Sequence, residues 1–130
     1  MIVDSSAVIA ILTEEPEATE FSDKIAAAKT LRMSVANFFE AAIVLDSKRS
    51  SAISRKLDEL VRTAEIHLAA VDEAQARVAR EAYRDFGKGS GHKAQLNFGD
   101  CFAYALAKTL NEPLLFKGTD FSQTDVRSAL

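Results

Sequence analysis

The feature that most restricts the fold is a recurring unit, a very short apolar run followed by a longer helical pattern. Met1-Ile2-Val3 is the first such run, and it stops at a carboxylate, Asp4. Thr30 to Met33 and Ile66 to Val71 start the same unit again, and Pro113-Leu114-Leu115-Phe116 is a fourth such run, followed by a turn. Strands that are apolar on both sides belong to parallel sheets covered by helices on both faces, so the fold class is α/β. Ser5 or Ser6 caps a helix through Leu12, and Glu14-Glu15-Pro16 starts a second that runs to Lys29. Ser34 caps a third, Val35 to Lys48, and Ser50 or Ser51 opens a fourth that ends at Thr63. Asp72 and Gln75 form a capping box for a fifth, which ends near Phe86 before Gly87. Lys88 to Asn97 reads as a loop, Gly99 or Asp100 to Leu110 as a sixth helix, and Lys117 to Asp120 as a turn. Ligands of such sheets sit beyond the carboxyl ends of the strands. Asp4 and Asp120 both stand there.

A chain of 130 residues suits a single core, and no linker or repeat divides it. Its 48% hydrophobic and 27% charged residues are ordinary globular usage, which excludes a disordered tail, a collagen-like rod and a disulfide mini-protein. The lone Cys101 has no partner for an internal disulfide. The first apolar run has no basic segment before it and is interrupted by Asp4 and Glu14, so no signal peptide is expected. No apolar run approaches the roughly 18 residues of a membrane span. The expected location is the cytoplasm, with no membrane partner. A net charge of −3 argues against indiscriminate nucleic-acid binding by the whole surface and leaves room for a local basic patch.

Most of the 19 acids lie at helix starts or on solvated faces; four do not. Asp4 ends the first strand. Glu40 has Ala36, Asn37, Ile43 and Val44 as its helical neighbours, in a helix with almost no polar face before Asp46, and is expected to point into protein. Asp100 opens the apolar helix DCFAYALA, and Asp120 lies between Phe116 and Phe121. Taken singly, each has an ordinary explanation: a helix cap, a core ion pair, a first-turn acid and a turn residue. They are separated by 36, 60 and 20 residues and form no local motif. A buried carboxylate without a partner costs several kcal/mol. Either each finds its own donor or cation, or several share a divalent metal. Basic residues near these segments are few, chiefly Lys108 and Lys117, and oxygen-only ligands suit Mg²⁺ or Mn²⁺. A shared metal is the favoured reading.

The four acids in this order resemble the PIN-domain ribonucleases, and more narrowly the VapC toxins of VapBC toxin–antitoxin systems. The matching stretches are MIVDSSAVIAIL, SVANFFEAAIVL and LNFGDCFAYALAKTLNEPLLFKGTDFSQTDV. The resemblance runs through essentially the whole chain and implies one PIN-like domain over residues 1–130. That domain would be a three-layer α/β/α structure with a short central parallel sheet. It implies an endoribonuclease that uses Mg²⁺ or Mn²⁺, with Asp4, Glu40, Asp100 and Asp120 as catalytic and metal-binding acids. Asp4 and Asp100 would be direct ligands, and Ser5 or Thr119 would bring a hydroxyl nearby. It implies hydrolysis leaving 5′-phosphate and 3′-hydroxyl ends, an inhibitory VapB-like antitoxin with a basic side chain among the acids, and a homodimer. The amphipathic segments Glu17 to Ala28 and Ser54 to Thr63 would border the antitoxin's groove; packing on the sheet explains them equally well.

The glycine-rich stretch Phe86 to Lys93 lacks the order of a phosphate-binding P-loop. A flexible loop explains it; in the context of the resemblance, Lys88, His92 and Lys93 are candidate contacts to an RNA backbone. Lys48, Arg49, Arg55 and Lys56 read as a solvated basic face. His67 reads as a core or edge residue, and neither histidine has zinc-ligand spacing. Cys101 reads as packed and inert. The alternative from another class is a catalytically inactive PIN-like binding module whose acidic cluster receives a basic side chain of a protein partner. A receiver domain would want adjacent acids after the first strand, and an Asp-x-Asp phosphatase would want an acid where Ser6 stands.

Overall fold

The structure, a computed structural model, describes residues 1–48 and 50–130. Arg49, assigned above to a basic face, lies outside the described residues. Four parallel strands form the sheet in the order β3-β2-β1-β4: β1 (Ile2–Val3), β2 (Arg32–Ser34), β3 (His67–Ala69) and β4 (Leu114–Leu115). Six α-helices accompany them: α1 (Ser5–Leu12), α2 (Ala18–Ala27), α3 (Val35–Asp46), α4 (Ser51–Thr63), α5 (Glu73–Phe86) and α6 (Phe98–Leu110). A 3₁₀ turn, Phe121–Gln123, follows β4.

Alternation along these two- and three-residue strands separates two cores. Ile2 and Leu114 face one way, onto Leu96, Ala103 and Leu106 of the α5–α6 layer. Val3 and Leu115 face the other, with Met33 of β2, onto Val8, Phe21 and Leu45 of the α1–α4 layer. The fold is thus the expected three-layer α/β/α arrangement. The chain winds outward from β1 to β3, then returns to place β4 on β1's other side. The reversal lies between β1 and β4, where such sheets open a crevice at their carboxyl ends. Asp4 N–H donates to Leu115 O at 2.9 Å, fixing Asp4 at that crevice.

Several boundaries move. The cap of α1 is Asp4, rather than Ser5 or Ser6. The second helix begins at Ala18 instead of Glu14. Glu14 adopts φ 56°, and Glu15 N–H bonds back to Ala10 O at 2.9 Å, so this stretch closes α1 with a left-handed turn. The third strand is only His67–Ala69, and the exposed His67 sits on the edge strand. The capping box of α5 is half formed: Asp72 accepts from Gln75 N–H, but the Gln75 amide donates to Ala70 O. Helix α6 starts at Phe98 because Asn97 caps it. Helix α3 keeps its Ser34 cap, but its apolar surface is not all core: Ala41 and Leu45 are buried, whereas Phe39 is 65% exposed and Ile43 54%.

Candidate active site

Four segments deliver the expected acids. The end of β1 delivers Asp4, which is only 2% exposed. Its Oδ2 caps α1 by accepting from Ser6 N at 2.9 Å and Ser6 Oγ at 2.5 Å. Ser6 Oγ in turn accepts from Lys117 N at 3.0 Å, tying the turn after β4 to the start of α1. Asp4 Oδ1 is buried and has no hydrogen-bond partner. Burial pushes the Asp4 carboxyl up to about 6, against the lowering effect of the Ser6 bonds; the charges of Asp100 and Glu40 push the same way as burial.

Asp100 stands in the first turn of α6, where its Oδ2 accepts from Asn97 N at 2.7 Å while Asn97 Oδ1 accepts from Asp100 N at 2.9 Å. This reciprocal box sets the direction of the carboxylate. Burial again raises its carboxyl above the ordinary range; Asn97 opposes this, and Glu40 and Asp120 add to it. Asp120 is exposed in the turn before the 3₁₀ segment, and its charge reaches Asp100.

Glu40 is half-buried, with its carboxylate over the first turn of α6 rather than in the core. Its Oε2 accepts from Ser5 Oγ at 2.7 Å and from Asn37 Nδ2 at 3.3 Å. Gly99 makes the room: a Cβ there would stand 2.1 Å from Glu40 Oε1. The amino end of α6 favours an anion in that place. The Ser5 hydroxyl, one of the two expected near the metal, donates to Glu40. Sequence reasoning missed what Asn37 and Gly99 do. The available signal was an amide one helical turn before Glu40 on an otherwise apolar helix.

The two cations expected to offset this charge are engaged elsewhere. Lys108 pairs with Asp125 at 2.8 Å; Lys117 pairs with Glu15 and, at 3.0 Å, with Glu17. Among the described residues, none of the four acids forms a salt bridge. Nor do three acid, histidine or cysteine side chains there already stand as a ready-made ligand set. The acids share a field, while three of them are held on separate donors. The donor set fits a hard divalent cation: it is all carboxylate, and one buried oxygen, Asp4 Oδ1, lacks any partner.

The loop before α6 is pinned at its base, with Lys88 N–H on Leu96 O and Leu96 N–H on Phe86 O. Gly89 and Gly91 take φ of +88° and +83°, which glycine adopts without strain. Lys88 is exposed, and its charge lowers the Asp100 carboxyl. Lys93 is exposed as well. His92 is committed to the loop itself: its Nδ1 accepts from Ala94 N at 3.1 Å, and its ring meets Phe86 edge-on at 4.9 Å. Cys101 is buried, and burial raises its thiol to about 11, so it is protonated and unreactive at neutral pH.

The PIN domain model matches residues 1–127, and the chain belongs to the PIN domain family. Within that family its full-length relatives are VapC ribonucleases. Ribonuclease VapC28 of Mycobacterium tuberculosis is 56% identical over 130 residues, covering 100% of this chain and 98% of the relative. Ribonuclease VapC of Mycolicibacterium smegmatis is 48% identical over 126 residues, covering 97% of each. The fold matches the crystal structure of M. tuberculosis VapC20, a sarcin–ricin-loop-cleaving toxin. The TM-score is 0.75 at 13% identity, over 96% of this chain and 95% of the other. It also matches a toxin–antitoxin complex from Klebsiella pneumoniae, with a TM-score of 0.70 at 14% identity, over 93% and 89% of the two chains.

Proposed function

We propose that this VapC-family ribonuclease is a toxin that hydrolyses RNA phosphodiester bonds at a Mg²⁺- or Mn²⁺-dependent site built from Asp4, Glu40, Asp100 and Asp120. The observation that carries the reading is a group of carboxylates that feel one another's charge and, among the described residues, form no salt bridge with lysine or arginine, one of them buried with a free oxygen. A divalent cation bound there supplies Lewis-acid stabilisation for charge developing on the phosphate. Asp4, whose Oδ1 is free, and Asp100 would hold it, and Glu40, fixed by Ser5 and Asn37, would position the attacking water or complete the ligand set. Asp120, exposed at the rim, adds negative field on the solvent side. Lys88 and Lys93 offer cations to the RNA backbone beside these acids, a role that the loop-bound His92 is poorly placed to share.

The partner is a cognate antitoxin. A mixed polar and apolar cleft of about 370 Å³, lined by Ile11, Ile25, Leu31, Leu60, Thr63 and Glu65, lies at the carboxyl end of α1 and the amino end of β2, at the opposite end of the sheet from Asp4. A basic side chain of the antitoxin would complement the acids. The exposed Phe39 and Ile43 of α3 support a homodimer. No helix among the described residues is long and apolar enough to cross a membrane, and the cytoplasm is where an RNA target lies. The single PIN-like domain spans residues 1–130. The inactive binding-module reading is not favoured, because the full-length relatives are ribonucleases. Cleavage of structured RNA by the purified chain tests the proposal. Activity that needs Mg²⁺ or Mn²⁺, stops with EDTA, and is lost in Asp4→Asn and Asp100→Asn supports it. Full activity in both variants overturns it.

A further inference from the structure

Asn37 is entirely buried, with no exposed surface, in the first turn of α3. Its Nδ2 donates to Gly99 O at 2.9 Å, across 62 residues of sequence, and to Glu40 Oε2 at 3.3 Å. Its Oδ1 is buried with no partner. A buried amide left half satisfied costs stability, and an apolar side chain of similar size would remove that cost. The amide is where it is because both of its donor hydrogens are used, one on each side of the joint between α3 and α6.

Resting on the metal-dependent reading above, we infer that Asn37 is a positioning residue that fixes Glu40 against the first turn of α6. The joint has three parts. Asn37 sets the spacing between α3 and α6 through Gly99 O. The same amide, with Ser5 Oγ at 2.7 Å, presents two donors to Glu40 Oε2. Gly99 supplies the space, since any side chain there would occupy the position of Glu40 Oε1. Glu40 thereby stays beside Asp100, whose carboxyl feels its charge. Without Asn37, Glu40 keeps only the Ser5 donor and can swing towards solvent along the exposed side of α3. The groups that orient metal-site ligands typically change metal affinity or activity by about 10- to 100-fold when removed.

Mn²⁺ binding to the full chain, followed by electron paramagnetic resonance, reads this without RNA cleavage. Asn37→Ala is expected to weaken Mn²⁺ binding about 10- to 100-fold and to lower kcat with little change in KM for RNA. Gly99→Ala disturbs the same carboxylate from the opposite side in a residue suited to a helix, so it is expected to reproduce the loss even where Asn37→Ala folds poorly. In a Glu40→Ala background, Asn37→Ala is expected to cause no further loss, because its effect passes through Glu40. Wild-type Mn²⁺ affinity in both Asn37→Ala and Gly99→Ala overturns the inference alone. So do losses that add fully to that of Glu40→Ala. A wild-type chain that binds no Mn²⁺ overturns the metal reading and this inference with it.

Discussion

Asp4 concentrates the conflict between stability and function in one side chain. Its carboxyl titrates near 6 because burial disfavours the charged form. The folded chain therefore binds this proton more tightly than the unfolded chain. The contribution to stability is greatest below the ordinary carboxyl range and is lost as pH rises through about 6. With EDTA present, the protein is expected to lose on the order of 3 kcal/mol of stability between about pH 4 and pH 7 from Asp4 alone, as measured by urea unfolding. Asp4→Asn should flatten that slope and be the more stable protein at neutral pH, while lacking nuclease activity. An unchanged slope in Asp4→Asn would remove Asp4 as its source. Asp4, Glu40, Asp100 and Asp120 were legible in the sequence because each interrupts or borders an apolar segment. The hold on Glu40 was not, since it depends on an Asn37–Gly99 contact between residues 62 apart.

Among the elements, the strand–helix alternation was readable because β1 and β4 are wholly apolar, short apolar runs surround β2 and β3, and most helices announce a cap. Ser34, Ser50 and Asp72 act as caps in the structure. The start of α2 was misread because Pro16 favours a first helical turn, yet the preceding residues are used by tertiary contacts. Lys117, arriving from the far end of the chain, pairs with Glu15 and Glu17. Helix α6 matters most for the site, since its capping box holds both the helix start and Asp100. Asn97→Ala removes the cap and is expected to cost about 1 kcal/mol in urea unfolding. The Asn97 N–H that donates to Asp100 Oδ2 survives this change, so the Asp100 carboxylate keeps its donor and RNA cleavage should persist wherever the chain is folded. Loss of cleavage in the folded variant would show that the side-chain half of the box also orients Asp100.

For the molecule as a whole, the fold brings Asp4, Glu40 and Asp100 within reach of one another's charge, with Asp120 acting on Asp100, and leaves apolar surface elsewhere. Exposed Phe39 and Ile43 on α3 are costly for a monomer in isolation and suit burial against a second copy. If the chain is a dimer through this face, Ile43→Glu shifts it towards monomer in sedimentation velocity while leaving its helical circular dichroism intact; an unchanged dimer would place the contact elsewhere, and a monomeric wild type would contradict the homodimer. The central claim is that the carboxylates act together on one divalent cation. Calorimetric titration of the full chain with Mg²⁺ at neutral pH tests it most directly. The account predicts a saturable binding event in the wild type that is lost in both Asp4→Asn and Asp100→Asn. Equal binding by all three proteins would contradict it.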